Sequence, residues 1–238
     1  MTITSVNQPP LDLDAVFPAF HWHVYDVGTS LPVGWIRQLL EVSERRAVAR
    51  DFKPTMSTAR EEQGTIIPIE AVDGDVLAAE VPWLRQLYYG AFQKLGQSLV
   101  SDEVQPSADL KVALSLNVQR GNGVRYPCHV DSNPVEGLLY LTDCTEQTGG
   151  ALAVARNAGA STKEEVDADC ALIYPRAGQL LFFDARRNPH YVRPLHNPNG
   201  VRAVVTMNYY SDACPESMRP VGLDDQLFVT ETPADLAD

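Results

Sequence analysis

The sequence predicts a mainly β chain with flanking helices, an α+β arrangement whose strands close into a jelly roll. Three observations carry this reading. From Lys111 onward, short β-rich runs recur, each bounded by Gly, Pro, Asn or Asp, which is the spacing of a sandwich or barrel. Before that point, two stretches repeat apolar residues at helical period. No Gly/Ser/Pro-rich linker divides the halves, so the helices are expected to pack outside one β core and not to form a second domain.

Taken in order, residues 1–14 read as a loose arm. "AFHWHVYDV" alternates and carries aromatics, so it reads as a strand. "PVGWIRQLLEVSERRAVA" places Trp35, Ile36, Leu39, Leu40 and Val42 on one helical stripe, with Pro32 near its start. Residues 51–75 are polar and broken by Pro54, Gly64 and Pro68, and stay ambiguous. "VPWLRQLYYGAFQKLGQSLV" predicts a helix over 81–100. The strand-like runs are "KVALSLNVQ", "GLLYLTD", "GALAVAR", "CALIYP", "QLLFFDA", "HYVRPL" and "VRAVVTMNYY". The expected organisation is one unit over 1–238. Within it, 1–110 form a helical support and candidate lid, 111–215 the β core and 216–238 a tail.

Composition narrows the function classes. Apolar content of 45% and charged content of 21% over 238 residues suit an ordinary globule with a sizeable core. A net charge of −12 argues against a nucleic-acid partner, which needs a basic stripe, and weakly favours a neutral or cationic substrate. No apolar run reaches the length of a membrane span, and the first residues lack a basic start and an apolar stretch. Cys128, Cys144, Cys170 and Cys214 are scattered, with no CxxC. That spacing suits reduced thiols and leads us to expect a cytoplasmic protein.

"RYPCHVDSNP", residues 125–134, holds His129 and Asp131 two apart. By itself H-x-D is as compatible with a surface turn as with two legs of a metal clamp. Downstream lie His190 in "RRNPHYVRP" and Arg202 in "GVRAVVTMNYY". Two histidines and one carboxylate make up the facial triad of non-haem Fe(II) oxygenases. Three ligands hold one face of an octahedral ion, and the other face stays open.

The order of these parts resembles the 2-oxoglutarate/Fe(II)-dependent oxygenases, and most of all their prolyl-4-hydroxylase-like branch. "GNGVRYPCHVDSNP" is similar to that branch's glycine turn, with a tyrosine three residues before the H-x-D histidine. "LLYLTD" looks like the family's tyrosine-bearing strand, "GGALAV" its Gly-Gly strand, and "YPRAGQLLFFD" its Pro-x-x-Gly run. The likeness spans about Asn117 to Tyr210. It implies a cupin-like double-stranded β-helix that uses Fe(II), 2-oxoglutarate and O2. It further implies that His129, Asp131 and His190 bind the iron. Arg202 would grip the distal carboxylate of 2-oxoglutarate, a job for which a planar guanidinium is suited. Tyr140 would add a hydroxyl hydrogen bond, with Asn117 as a further co-substrate contact.

Along the Arg202 strand, alternation puts Val204, Thr206 and Asn208 on the same face. Thr206, Asn208, Gln119 and Tyr126 are therefore candidate substrate contacts. Gln119 and Asn208 are amides where many prolyl hydroxylases carry an aromatic, which points away from a peptidyl-proline substrate. Asp131 stands where related halogenases have glycine or alanine, which favours hydroxylation. The expected reaction is hydroxylation of an unactivated C–H bond in a free amino acid or a small amino-acid-derived metabolite. The alternatives are a peptidyl or protein prolyl hydroxylase and a non-catalytic, cupin-like metal-binding sensor. The sequence leaves the oligomeric state open.

Other features take plainer readings. His196, beside Asn197-Pro198, is expected in a turn. His21 and His23 flank Trp22 as strand residues, one exposed and one packed. Cys128 is expected as a small buried residue, Arg60 and Glu61 as solvated loop charges, and Gly149-Gly150 as a tight turn into a strand.

Overall fold

A computed structural model describes residues 22–52, 58–61, 67–221 and 223. The arm at 1–14, His21 and most of the tail lie outside the described residues. Among the described residues there are twelve strands: β1 (Trp22–Asp26), β2 (Val48–Phe52), β3 (Ile67–Asp73), β4 (Val104–Pro106), β5 (Leu114–Arg120), β6 (Tyr126–His129), β7 (Val135–Tyr140), β8 (Leu152–Ala155), β9 (Cys170–Ile173), β10 (Gln179–Phe183), β11 (His190–Val192) and β12 (Val201–Ser211). They form two antiparallel sheets. The major one runs β1-β10-β7-β12-β5-β3-β2, with β4 added along β12, and the minor one runs β6-β11-β8-β9. This is the expected jelly roll. Its strand order crosses between sheets, as a double-stranded β-helix requires.

Period-two alternation gives each major strand two different faces. On β5, β7 and β12, Leu114, Leu116, Val118, Val135, Leu139, Ala203, Val205, Met207 and Tyr209 point to the helices and form the largest core. The opposite face carries Leu138, Tyr140 and Val204, which meet Leu152, Val154 and Val192 of the minor sheet. A third, small cluster lies on the outer side of the minor sheet and includes Cys128, Ala153, Ala155 and Tyr191. Each such Leu, Val or Phe contributes about 1.5–3 kcal/mol by leaving water.

Helices α1 (Trp35–Arg46), α2 (Gly74–Glu80), α3 (Pro82–Leu87), α4 (Gln93–Gly96), α5 (Leu110–Ala113) and α6 (Lys163–Ala168) complete the fold. The first buries Trp35, Leu39 and Val42, as the stripe predicts. Its last turn ends in Arg45 and Arg46, which suit the negative end of a helix, and both pair with Glu80 at 2.8 and 2.5 Å.

The helix expected over 81–100 is interrupted by a π-turn at Tyr88–Phe92. This wider turn lets both Tyr88 and Phe92 be fully buried. Tyr88 then donates its hydroxyl to Asn208 O at 2.6 Å, while Tyr209 donates back to Tyr88 O at 2.9 Å. The helical layer is thereby bonded to the strand that carries Arg202.

Two expectations are corrected. The strand read from Lys111 begins at Leu114. The residues before it form α5, because the Asp109 carboxylate accepts from the Lys111 N–H at 2.9 Å and caps a helical turn. The ambiguous stretch 51–75 contributes to an antiparallel pair, β2 with β3, that extends the major sheet beyond β5. Pro68 is tolerated there because β3 pairs with β5 only from Glu70 onward, so at Pro68 it has a strand on one side alone. Among the described residues no helix is long and apolar enough to cross a membrane, and all four cysteines are free thiols.

Candidate active site

The minor sheet sets the two histidines side by side. β6 and β11 pair antiparallel with His129 directly opposite His190, and cross-strand partners on one face are close neighbours. Their ring centroids are 4.3 Å apart. Asp131 lies just past the end of β6, where its N–H donates to Ala185 O at 3.0 Å. That bond turns its carboxylate back toward the rings. Asp131 Oδ1 is 3.3 Å from His129 Nε2, and Oδ2 is 3.5 Å from His190 Nε2. One ligand atom from each of the three residues falls within 4.8 Å of the others.

The outer nitrogens are held by the backbone. His129 Nδ1 lies 2.7 Å from Pro127 O, and His190 Nδ1 lies 3.0 Å from Asn188 O. A carbonyl only accepts, so each Nδ1 donates and each Nε2 is presented to the cluster, the arrangement typical of metal-binding histidines. The loop before β11 is tied in turn by Asn188 Nδ2, which donates to Ala155 O at 2.9 Å. Burial, helped by the neighbouring His129, pushes His190 down to about 4 and keeps it neutral. Burial works to raise Asp131, but the two imidazoles outweigh it and hold the carboxyl below its usual range. The same carboxylate, against burial, raises His129; a divalent ion would bind both imidazoles neutral and the carboxylate charged. Phe183 stands edge-on to His190 at 4.9 Å, and Tyr126 covers His129 at 5.0 Å.

The triad opens on a cavity of about 180 Å³. The inward faces of β5, β7 and β12 line it, through Ser115, Asn117, Gln119, Glu136, Leu138, Arg202, Val204, Thr206 and Asn208. The alternation argument for Arg202, Thr206 and Asn208 therefore holds. Tyr126 also lines the cavity while packing its turn.

At one end stands Arg202, 3% exposed. Its Nε donates to Gly150 O at 3.1 Å and its Nη1 to Gln119 Oε1 at 3.1 Å. Glycine is needed at 150. It sits at φ +78°, and a Cβ there would meet Cys144 Sγ at 2.9 Å and Leu195 Cδ2 at 3.0 Å. Among the described residues no carboxylate pairs with Arg202, and burial pushes its pKa down. The Tyr140 ring lies 5.6 Å from the guanidinium. Its hydroxyl lies near the guanidinium without a hydrogen bond of good geometry, and it and Gln119 Nε2 are both buried. A buried cation without an anion is costly, and unmet buried donors each cost about 1–3 kcal/mol. This end therefore fits a ligand carboxylate. Gln119, expected as a substrate contact, lines the cavity and also accepts from Arg202.

The other end holds a residue that the sequence reading missed. Glu136, 5% exposed, faces the cavity on β7, in register with Asn208 of β12 and Phe183 of β10. Asn133, itself 2% exposed, donates to its Oε2 at 2.9 Å. Burial first, and the Asp131 charge second, hold its carboxyl well above the usual range. The signal was a lone acid in "PVEGLLYL": counting back by twos from Tyr140 puts Glu136 on the tyrosine's face.

Glu61 is also corrected. It is not a solvated loop charge. It takes two hydrogen bonds from Arg125, at 2.7 and 2.5 Å, and one from the Cys128 N–H at 3.0 Å. The 58–61 segment runs along β6, bridging Ala59 to His129, and Thr58 reaches the cavity. Arg60 donates to Ala59 O at 3.0 Å. Other plain readings stand. His196 is exposed in the turn before β12. Cys128 is buried on the outer side of the minor sheet, its thiol pushed up to about 12 by burial. Gly149 takes φ +73° where a Cβ would meet Pro194 O at 2.1 Å. His23 stacks on Tyr25 at 6.0 Å.

Residues 114–210 match the family model of the 2OG-Fe(II) oxygenase superfamily. No curated protein matches the chain. Among solved structures, the non-heme alpha ketoglutarate dependent epimerase SnoN from nogalamycin biosynthesis aligns at 15% identity and TM-score 0.60, covering 92% of this chain and 89% of that one. A prolyl hydroxylase from Trichoplax adhaerens, in complex with a hypoxia inducible factor peptide fragment, aligns at 19% and 0.57 over 81% and 84%. HygX from Streptomyces hygroscopicus, with nickel and 2-oxoglutarate bound, aligns at 15% and 0.56 over 82% and 84%. At these identities the likeness concerns the fold.

Proposed function

We propose that this chain, a member of the 2OG-Fe(II) oxygenase superfamily, hydroxylates an unactivated C–H bond of a free amino acid or small amino-acid-derived molecule. One observation carries the reading. A His-Asp-His cluster and a buried arginine without a carboxylate partner face the same cavity. A metal-binding protein without turnover has no use for the second feature.

His129 and His190 would hold Fe(II) through Nε2, and Asp131 through its carboxylate. Arg202 and Tyr140 would bind the distal carboxylate of 2-oxoglutarate, with Gln119 orienting the guanidinium and Asn117 lying alongside. When bound, the iron, 2-oxoglutarate and dioxygen supply the oxidising chemistry, releasing succinate and carbon dioxide. The chain's own part is positioning and exclusion of water. Phe183, Leu138, Val192 and Val204 give the cavity apolar walls, Tyr126 shields His129, and Thr206 and Asn208 are left for the substrate. With the carboxylate of Asp131 in the ligand set, the product should gain oxygen and no chlorine.

The test is succinate formation by Fe(II)-loaded protein, screened against amino acids and proline-containing peptides. Stimulation by a small amino acid supports the reading. Stimulation by peptides alone overturns the substrate class, and no 2-oxoglutarate turnover with any compound overturns the activity.

A further inference from the structure

We infer that Glu136 is a substrate-recognition residue and that the group it receives is a protonated amine. This inference rests on the oxygenase reading and narrows its substrate class.

The mechanism has no task for this carboxyl. It is not among the three residues whose ligand atoms cluster, and it lies on the far side of Leu138 from Tyr140 along β7. Yet it is almost fully buried and lines the cavity. Buried carboxyls are normally paired with a cation or satisfied by several donors. Here Asn133 and the Met207 backbone serve the carboxyl, but among the described residues no lysine, arginine or histidine forms an ion pair with Glu136. Asn133 is itself fixed by a second bond, from its Nδ2 to Val135 O at 3.1 Å. The acid is therefore held in a fixed place on the cavity wall.

Its neighbours on β12 accept more than they donate, and Arg219, which also lines the cavity, acts on Asp131. Asn208, opposite it, commits its Nδ2 to Val112 O at 2.5 Å and so turns its carbonyl oxygen to other partners. The Thr206 hydroxyl is 3.4 Å from Ser115 O, toward which it donates. A ligand ammonium carries donors only, and it brings the charge that Glu136 lacks. An anionic or purely apolar group would leave the carboxyl worse placed than in water. The chain's net charge of −12 favours the approach of a cation.

The experiment is calorimetric titration of Fe(II)-loaded protein under anaerobic conditions, with and without 2-oxoglutarate. The probes are the proteinogenic L-amino acids and the same compounds acetylated at every amine. At least one free amino acid should bind, and its acetylated form should bind at least roughly tenfold more weakly. Glu136→Gln should weaken that amino acid by roughly thirtyfold or more and leave the affinity for 2-oxoglutarate unchanged. Glu136→Asp should restore part of the loss. Thermal melts of both variants separate this effect from misfolding.

Equal binding of free and acetylated ligands, no binding of any free amino acid, or an unchanged affinity in Glu136→Gln would overturn the inference. Each of those outcomes leaves the oxygenase reading intact if 2-oxoglutarate still binds. Wild-type protein that fails to bind 2-oxoglutarate would overturn the oxygenase reading instead, and the titration without co-substrate would still report on the amine.

Discussion

The two ends of the cavity are built from the same three strands and carry opposite hydrogen-bonding character. At one end β5, β7 and β12 contribute Gln119, Tyr140 and Arg202. At the other they contribute Ser115, Glu136 and Asn208. The first set is rich in donors and holds a buried cation without an anion. The second is rich in acceptors and holds a buried acid without a cation. Four residues along β7 and six along β12 separate the ends, about 13 to 20 Å at ~3.3 Å per residue. One sheet face can thus sort two ligands by charge, with the triad on the facing sheet open to the same cavity. The contrast teaches that each end holds a buried charged group with no opposite charge among the described residues, and that the two groups differ in sign.

The largest expected effect lies at the His-Asp-His cluster, on which the proposed chemistry of both ends would depend. His190→Ala should abolish bound iron and essentially all succinate formation, whereas His196→Ala should change neither. Metal content and turnover of the two variants check this. If His196→Ala lost iron while His190→Ala kept it, the triad would be misassigned.

The next effect sharpens the contrast between the ends. Arg202→Ala removes the cation that a ligand carboxylate needs. Truncating one partner of a buried charge pair costs about 2–5 kcal/mol, so the 2-oxoglutarate requirement should rise by roughly a hundredfold. Iron content should hold. Steady-state kinetics over a wide co-substrate range measure it, and an unaltered dependence would remove Arg202 from that role.

The smallest effect lies outside both ends. Glu61→Ala leaves Arg125 and the Cys128 N–H without their acceptor, which should cost about 1–3 kcal/mol of stability. Burial alone would raise the Glu61 pKa, but the Arg125 and Cys128 hydrogen bonds and the Arg125 charge hold it below its usual value. The sign follows. A carboxyl depressed in the folded state stabilises fully above its ordinary pKa and loses that contribution as pH falls through the lowered value. The melting difference between wild type and Glu61→Ala should therefore be largest near neutral pH and shrink in acid. A constant difference across that range would mean that packing, and not charge, is the link.

The metal site was largely legible because its parts are ordered along the chain. H-x-D, a later histidine and an arginine beyond it appear in sequence as they appear in space, and period-two alternation correctly aimed Arg202, Thr206 and Asn208 inward. Legibility failed where a residue's role depends on a neighbour distant in the chain. Gln119 belongs with Arg202 only because β5 and β12 pair in that register. Glu61 is half-buried and paired because 58–61 runs along β6, and nothing in a polar, proline-broken stretch announces a partner 64 residues away.

Composition and periodicity by themselves determined a β core under helices, and the order of the motifs, through the family it resembles, supplied the expectation of iron, 2-oxoglutarate and an arginine clamp. These are local or linear properties, set by side-chain type and spacing. Only the tertiary structure decided that His129 lies opposite His190, that Arg202 is buried without a carboxylate, and that Glu136 faces the cavity. Burial and pairing arise when two sheets close on each other, and a charge becomes a demand for a ligand only once water has been taken away from it.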